Sequence, residues 1–178
     1  TEVMTLPLAQ TPARSLSPAA IPAVLKMLDR ADVLALGPGL SQQPLTKQFV
    51  RRLIQRLTRP LVLDADGLNA LAGSAPPLQG LAQPAILTPH PGEMARLTGR
   101  SLTEIQQHRR EVAQEFSAKH RVILVLKGFE TVVAGPERQT YVNHTGNPGM
   151  ASGGMGDVLT GMIAALLGQR LAPFDAAR

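Results

Sequence analysis

The sequence predicts an α/β fold built on a largely parallel β-sheet. Short apolar runs of strand-forming residues alternate with segments in which apolar residues recur at the helical spacing of three and four. No internal repeat, low-complexity tract or long linker interrupts this alternation. The length of 178 residues and the apolar content of 44% suit one compact domain whose core needs no disulfide.

The first half of the chain is expected to contain three helices and two strands. Ser17 suits the cap of a helix and Pro18 its first position, so a helix should run to about Asp29. The apolar run 33–36 predicts a buried strand, and the run 61–63 predicts the next one. The apolar residues Leu45, Phe49, Leu53 and Leu57 predict a helix between these two strands. A shorter helix is expected after the second strand, through Leu68, Ala70 and Leu71.

The middle of the chain begins with a proline-rich connection, residues 75–77, followed by an expected strand at 85–87. Ser101 and Glu104 have the spacing of a capping box. This pair predicts the start of a single helix that continues through Phe116.

The last third of the chain contains the clearest strand signal, the β-branched run 122–126. Residues 131–133 and 141–142 predict an antiparallel hairpin, and a helix is expected from about residue 156 to 167 with Gly168 as its stop. Another helical pattern starts near the last residue, and no strand precedes the first helix. We therefore expect residues 1–178 to form a single domain that is incomplete at both ends.

The composition excludes several classes of protein. With no cysteine, the chain has no disulfide, thiolate zinc site or cysteine nucleophile. One Tyr, four Phe and no Trp argue against nucleic-acid binding by aromatic stacking, so the net charge of +5 favours a phosphate-bearing small molecule instead. No apolar run reaches the ~18 residues of a membrane span, and no secretory signal opens the chain. We expect a soluble cytoplasmic protein with no membrane partner.

Polar and glycine positions follow the predicted strands one after another. They are residues 37–39, Asp64 with Asp66, His90 with Glu93, Lys127, and residues 147–157. In an open α/β sheet, ligands bind beyond the carboxyl ends of the strands. The sequence therefore predicts that these five loops meet at one rim and form the site.

The strongest single motif is the glycine-rich segment 146–157, which lies directly before a predicted helix. Free amides and the helix dipole make such a position an anion site, and glycine lets a phosphoryl group approach the main chain. Asp157 could accept a proton from a hydroxyl that attacks this phosphoryl group. The alternative is that Asp157 only caps the helix, but a cap alone would not need so many glycines.

The other candidate residues have structural alternatives of comparable weight. Lys127 could meet a nucleotide phosphate or ring, or extend to solvent. His90 and Glu93 could serve only the loop and the first helical turn. Asp64 and Asp66 could hold magnesium through water, although Asp66 is favoured as the cap of the following helix.

Three common nucleotide and metal motifs are missing from the sequence. It contains no G-x-G-x-x-G after a strand, no G-x-x-x-x-G-K-[ST] and no H-E-x-x-H. Phosphate chemistry in this chain must therefore use another loop.

Five segments in this order resemble one family, the ADP- or ATP-dependent NAD(P)H-hydrate dehydratases of the ribokinase-like superfamily. They are 37–40 (GPGL), 63–66 (LDAD), 88–97 (TPHPGEMARL), 126–128 (LKG) with Thr131, and 146–161. The resemblance extends from about Val33 to Phe174. It implies a layered α/β/α fold and the bacterial C-terminal repair domain, in which hydrated NADH or NADPH is the substrate.

The resemblance also implies a reaction and its cofactors. ADP, or ATP, would phosphorylate the ring hydroxyl of the S form of NAD(P)H-hydrate in the presence of Mg²⁺. Loss of phosphate would then regenerate NAD(P)H, with AMP as the other product when ADP is used. Phosphorylation is chemically motivated because hydroxide is a poor leaving group and phosphate a good one. A homo-oligomer, a tetramer in the family, is also implied.

Site residues follow from the same resemblance. Asp157 matches the catalytic base, and the amides of 153–156, including Gly154 and Gly156, match the anion hole. Besides Asp157, substrate contacts match Gly39, His90, Pro91, Gly92, Glu93, Met94, Ala95 and Arg96. Nucleotide contacts match Lys127, Gly128, Phe129, Glu130, Thr131, Asn147, Pro148, Gly149, Met150, Ala151, Ser152, Gly153, Gly154, Met155 and Gly156. Glu93 is implied near the metal.

Two alternatives to this function remain open at the level of the sequence. A kinase of a hydroxymethyl pyrimidine or hydroxyethyl thiazole would share Asp157 and the glycine loop, although such kinases tend to have Asn where His90 stands. A non-catalytic fragment that binds nucleotide would also carry these motifs. Phe129 and Glu130 depart from the small residues common after the Lys-Gly pair.

Overall fold

A computed structural model describes residues 3–73, 78 and 80–178 of the chain. It confirms the predicted α/β class. The proline-rich connection expected at 75–77 lies outside the described residues. No helix in the described part of the chain is both long enough and apolar enough to cross a membrane.

The described residues form one mixed sheet of six strands, ordered β1 to β6 as in the chain. The strands are β1 (Leu34–Leu36), β2 (Leu61–Leu63), β3 (Ala85–Leu87), β4 (Ile123–Leu126), β5 (Thr131–Ala134) and β6 (Thr140–Asn143). Strands β1 to β4 are parallel, while β4, β5 and β6 pair antiparallel. Both the largely parallel sheet and the predicted hairpin are therefore confirmed.

Eight α-helices accompany the sheet in the described residues. They are α1 (Ile21–Leu28), α2 (Pro44–Ile54), α3 (Ala65–Leu71), α4 (Pro91–Thr98), α5 (Leu102–Gln107), α6 (Arg109–His120), α7 (Met155–Gly168) and α8 (Pro173–Ala177). A short 3-10 helix, Pro18–Ala20, precedes α1 and is capped by the Ser17 hydroxyl, as the sequence predicted.

Two cores lie on opposite faces of the sheet, which gives the layered arrangement. Successive residues of a strand point to opposite faces. Leu61 and Leu63 accordingly join the core under the first six helices, while Val62 joins the core that Ile163 and Leu167 of α7 complete. Within the part of the chain that the structure describes, the helical residues of this second core come from α7 and α8.

The helix predicted from Ser101 through Phe116 is in fact two helices. His108, with φ −124° and ψ 40°, leaves helical geometry and separates α5 from α6. The Ser101 hydroxyl caps α5 by accepting the Glu104 amide at 3.1 Å, but the Glu104 carboxylate pairs with Arg100. The expected stop of α7 also differs, because Gly168 is the last helical residue and the left-handed residue beyond it is Arg170.

The glycine that follows β1 is required by a close backbone approach. Gly37 has φ +145°, and a Cβ there would lie 1.8 Å from the Asp64 carbonyl oxygen. This contact brings the loops after β1 and β2 together, so no larger residue fits without moving the chain.

We expect Gly37→Ala to lower the free energy of unfolding by about 3 kcal/mol or more, from overpacking and backbone strain together. Denaturant unfolding measures this loss. Gly161→Ala is the matched control, since an added Cβ at this exposed helical position meets nothing within 4 Å. The control should stabilise by about 0.5–1 kcal/mol. A Gly37→Ala protein as stable as the wild type would contradict the close approach.

Candidate active site

The carboxyl ends of the four parallel strands form one continuous rim. Backbone hydrogen bonds connect neighbouring loops there. The Asp64 amide donates to the Leu36 carbonyl at 3.1 Å, and the Lys127 amide donates to the Pro89 carbonyl at 2.9 Å. The structure thus brings the predicted loops after β1 to β4 to one edge of the sheet. A cavity of about 400 Å³ lies beside Gly39, between the N-terminal segment 6–16 and the loop after β1.

A buried ion pair lies in the middle of the rim. The Lys127 ammonium is 2.7 Å from one carboxylate oxygen of Asp64, and the Thr160 hydroxyl donates to the other oxygen at 3.1 Å. The Asp64 side chain is 2% exposed and the Lys127 side chain 21%. Lys127 therefore does not simply extend to solvent: its amine is held inside the rim, between β2 and α7.

The glycine-rich loop reaches this ion pair through Gly156. A Cβ on Gly156 would lie 3.4 Å from both the Asp64 carboxylate and the Lys127 amine. Gly154, with φ +86°, is the N-cap of α7, and no side chain caps the helix there. The first amides of α7 thus lie beside a lysine ammonium, an arrangement suited to a phosphate group.

The loop before α7 has its own local order. The Asn147 carboxamide oxygen accepts the Gly149 amide at 2.9 Å and caps a short 3-10 helix, Pro148–Met150. Side chains from 143 to 155 are exposed or partly exposed. This segment is accessible to a nucleotide.

Asp157 lies at the third position of α7 and is exposed. The N-cap of the helix is Gly154, so Asp157 is not the cap that the structural alternative required. Its carboxylate nevertheless favours the first turn through the helix dipole. An exposed carboxylate next to the first amides of α7 can accept a proton from a bound hydroxyl.

The turn after Lys127 is stabilised by side-chain hydrogen bonds to its backbone carbonyls. The Arg109 guanidinium donates to the carbonyls of Leu126 and Lys127, at 2.9 Å and 3.3 Å, and burial lowers the pKa of Arg109, with Glu130 opposing the shift. The Thr131 hydroxyl donates to the Gly128 carbonyl at 2.9 Å. Phe129 at the tip of this turn is 91% exposed.

His90 and Glu93 form a reciprocal cap at the start of α4. His90 Nδ1 accepts the amides of Gly92 and Glu93, at 3.0 Å and 3.3 Å, and the Glu93 carboxylate accepts the His90 amide at 2.8 Å. Glu93 is 5% exposed, and its second carboxylate oxygen lies 3.5 Å from His90 Nε2. The geometry thus gives both residues the structural role that the sequence left open, and their substrate and metal roles stay predictions.

The favoured role of Asp66 as a helix cap is wrong. The N-cap of α3 is Asp64, and Asp66 is the second helical residue. The Asp66 carboxylate instead accepts the Ser41 amide at 2.8 Å and ties the loop after β1 to α3. A local rule assigned Asp66 to its own helix, whereas a residue 25 positions away supplies the hydrogen-bond donor.

Sequence reasoning missed Thr160 and Arg109, and it named Asp64 only as a candidate magnesium ligand, not as the partner of Lys127. Thr160 gave a faint signal, because a polar residue in an otherwise apolar helix lies one turn after Gly156. Arg109 gave a similar signal, since it is a charged residue three, four and seven positions before Val112, Ala113 and Phe116, on the apolar face of its helix. Among the described residues, no group of three or more His, Asp or Glu side chains could hold a metal ion.

The fold and the site define the class of the protein. A largely parallel sheet between two helical layers, with a glycine-rich loop opening α7 at the carboxyl edge, is the ribokinase-like arrangement, and solved ribokinase-like proteins share it. The family model described as NAD(P)H-hydrate dehydratase matches residues 1–178, so the chain belongs to this family. Both the predicted fold and the predicted family are confirmed.

Individual relatives agree with this family. The chain is 51% identical over 177 residues to the bifunctional NAD(P)H-hydrate repair enzyme Nnr of Moorella thermoacetica, covering 99% of this chain and 33% of that protein. It is 42% identical over 134 residues to the ADP-dependent (S)-NAD(P)H-hydrate dehydratase of Bacillus subtilis, covering 75% and 46%.

A solved structure gives the same result. The ADP/ATP-dependent NAD(P)H-hydrate dehydratase of Bacillus subtilis, co-crystallised with ATP and Mg²⁺, superposes with a TM-score of 0.73 at 36% identity. The match covers 92% of this chain and 64% of that one. The chain thus spans about a third of the bifunctional relative and under two thirds of the solved structure.

Proposed function

We propose that this chain carries the ADP-dependent dehydratase activity that converts the S form of NAD(P)H-hydrate to NAD(P)H, with AMP and phosphate as the other products. The observation that carries the proposal is the meeting of Lys127, Gly156 and the first turn of α7 at one point of the rim. The names of the relatives supply the substrate and the nucleotide.

The residues of the rim support a phosphoryl transfer followed by an elimination. The amides at the start of α7 and the Lys127 ammonium would hold the phosphates of ADP. Asp157 would accept the proton of the ring hydroxyl as its oxygen bonds to phosphorus and the bond to the AMP oxygen breaks. The C–O bond of the ring phosphate then breaks, and loss of the phosphate with a ring proton restores the dihydropyridine.

Magnesium fits this site as a companion of the nucleotide. Mg²⁺ keeps several waters and binds through substrate phosphates plus one or two carboxylates. The exposed Asp157 is free to approach such an ion, whereas Asp64 is held by Lys127, and Glu93 by His90. When bound, the ion would neutralise charge on the transferring phosphoryl group.

The decisive experiment uses the complete domain with hydrated NADH, Mg²⁺ and either ADP or ATP, and follows recovery of the reduced-nicotinamide absorbance. Recovery that requires one of the nucleotides supports the dehydratase and identifies its donor. If folded protein binds nucleotide but nothing recovers, the proposal fails. Small heterocyclic alcohols would then be the next substrates to test.

We also propose that residues 1–178 are part of a single ribokinase-like domain whose remainder covers α7. The outer side of α7 exposes Val158 and Met162 by more than half of their surface. Apart from Asp157 and Thr160, the helix is apolar or glycine on every side, and a helix of that composition is normally buried on all sides. We further propose that the protein is cytoplasmic and forms a homo-oligomer, as the resemblance to the family implies. Light scattering of the complete protein tests the oligomer.

A further inference from the structure

Asp64 is a buried carboxylate that the proposed reaction does not use. Its side chain is 2% exposed, and it lies at the carboxyl end of β2, 2.7 Å from the Lys127 ammonium at the end of β4. A charged group at such depth needs compensation, and Lys127 and Thr160 supply it. These two contacts connect Asp64 to the groups that are proposed to bind the phosphates.

The hydrogen bond between Asp64 and Thr160 connects the end of β2 to α7. The Thr160 hydroxyl donates to Asp64 at 3.1 Å, and Thr160 itself is 3% exposed. With 3.6 residues per turn, Thr160 lies one turn beyond Gly156 on the same side of the helix. The hydrogen bond therefore fixes both the rotation and the height of the first turn of α7 above the sheet.

The first contact of Asp64 directs Lys127. A lysine at the end of a strand can extend to water, but here its amine is held beside Gly156, within 3.4 Å of the position of a Cβ there. One carboxylate thus sets the position of the ammonium and of the helix that carries Asp157.

We propose that Asp64 is a positioning residue, with Thr160 as its link to α7. Together they hold Lys127, the amides of the first turn and Asp157 in one fixed arrangement around the phosphoryl group. The inference rests on the proposed function for its reaction, but its geometry can be tested without turnover. Misplacing a catalytic group by about 1 Å can cost about a hundredfold in rate.

The first test replaces Thr160. Thr160→Val keeps the shape and removes the hydroxyl, so we expect kcat to fall about tenfold or more. Thr160→Ser keeps the hydroxyl and should restore kcat to within about threefold of the wild type. Ser117→Ala is the control for a general loss of packing, because its buried hydroxyl ties α6 to the Ala134 carbonyl, away from the site. It should lower the melting temperature and leave kcat unchanged.

The second test separates positioning from charge. Asp64→Asn removes the charge that holds Lys127, so we expect kcat to fall at least about tenfold. ADP affinity should fall by no more than about threefold, because the ammonium stays in the site and a nearby negative charge is lost. Loss of folding would abolish both together. Wild-type kcat in a folded Thr160→Val or Asp64→Asn protein overturns the proposal and leaves the proposed function intact.

A third measurement does not depend on activity. Hydrogen exchange of the amides from 155 to 161 should be faster in Thr160→Val than in the wild type, but not in Thr160→Ser. Unchanged exchange in Thr160→Val overturns the role of Thr160 as the link to α7, whether or not the protein turns over. If exchange differs between these proteins as expected but the wild type does not dehydrate the substrate, the proposed function fails and the positioning role of Asp64 and Thr160 stands.

Discussion

Asp157→Asn lowers turnover by about two to four orders of magnitude, the usual contribution of a general base, while ADP still binds. Asparagine has nearly the same shape but cannot accept the proton of the attacking hydroxyl. The anion site should survive, because the α7 amides and Lys127 are unchanged and an asparagine side chain still offers an oxygen to a nucleotide-bound Mg²⁺. Asp157 is exposed, so the fold should not change.

Two measurements check this result together. Recovery of reduced-nicotinamide absorbance gives turnover, and calorimetric titration with ADP gives affinity. Asp175→Asn is the matched control, since Asp175 is also an exposed acid in the first turn of a helix, α8. It should leave both quantities unchanged. Normal turnover of Asp157→Asn would remove Asp157 from the role of base.

Lys127→Met weakens ADP binding by about ten- to a hundredfold, which corresponds to the loss of a hydrogen bond to a charged group. Methionine keeps much of the volume of the side chain but removes the ammonium beside Gly156. Lys127→Arg keeps a cation and should fall between the wild type and Lys127→Met. Titration with ADP measures all three, and equal affinities would contradict the phosphate role.

The same substitution also affects stability, and a double variant separates the two effects. Removing Lys127 leaves Asp64 buried without its cation, so thermal unfolding should occur at a lower temperature. Asp64→Asn combined with Lys127→Met removes both charges and should recover stability, since a neutral pair has no buried charge to compensate. ADP binding should stay weak in the double variant. Recovery of both properties would show that Lys127 acts on the fold alone.

The α/β class, the strands and the hairpin could all be predicted from local sequence patterns. Strand residues such as Val62, Ile86 and Leu124 lie in apolar runs that are flanked by proline or polar residues, which is a local signal. The motifs of the rim were equally visible, because each lies in the loop after its own strand or in the first turn of the helix that follows. Five short motifs in order were enough for the family, which the comparisons confirm.

Local rules failed where a distant residue competed with a neighbouring one. Asp66 is of a residue type that often caps helices, yet its carboxylate accepts a hydrogen bond from the Ser41 amide instead. The break at His108 between α5 and α6 had no glycine or proline to announce it. Spacing rules see only contacts a few residues apart, so a partner 25 positions away lies outside their reach.

The contacts that join the parts of the site could not be predicted from local sequence patterns, because they connect residues far apart in the chain. Asp64 and Lys127 are 63 positions apart, and Asp64 and Thr160 are 96 apart. They meet because parallel strands bring their carboxyl ends to one edge and α7 crosses above that edge. The sequence therefore pointed to Asp157, Lys127 and the glycine loop, whereas only the packing of α7 on the sheet shows that the buried Asp64 carboxylate contacts both Lys127 and α7.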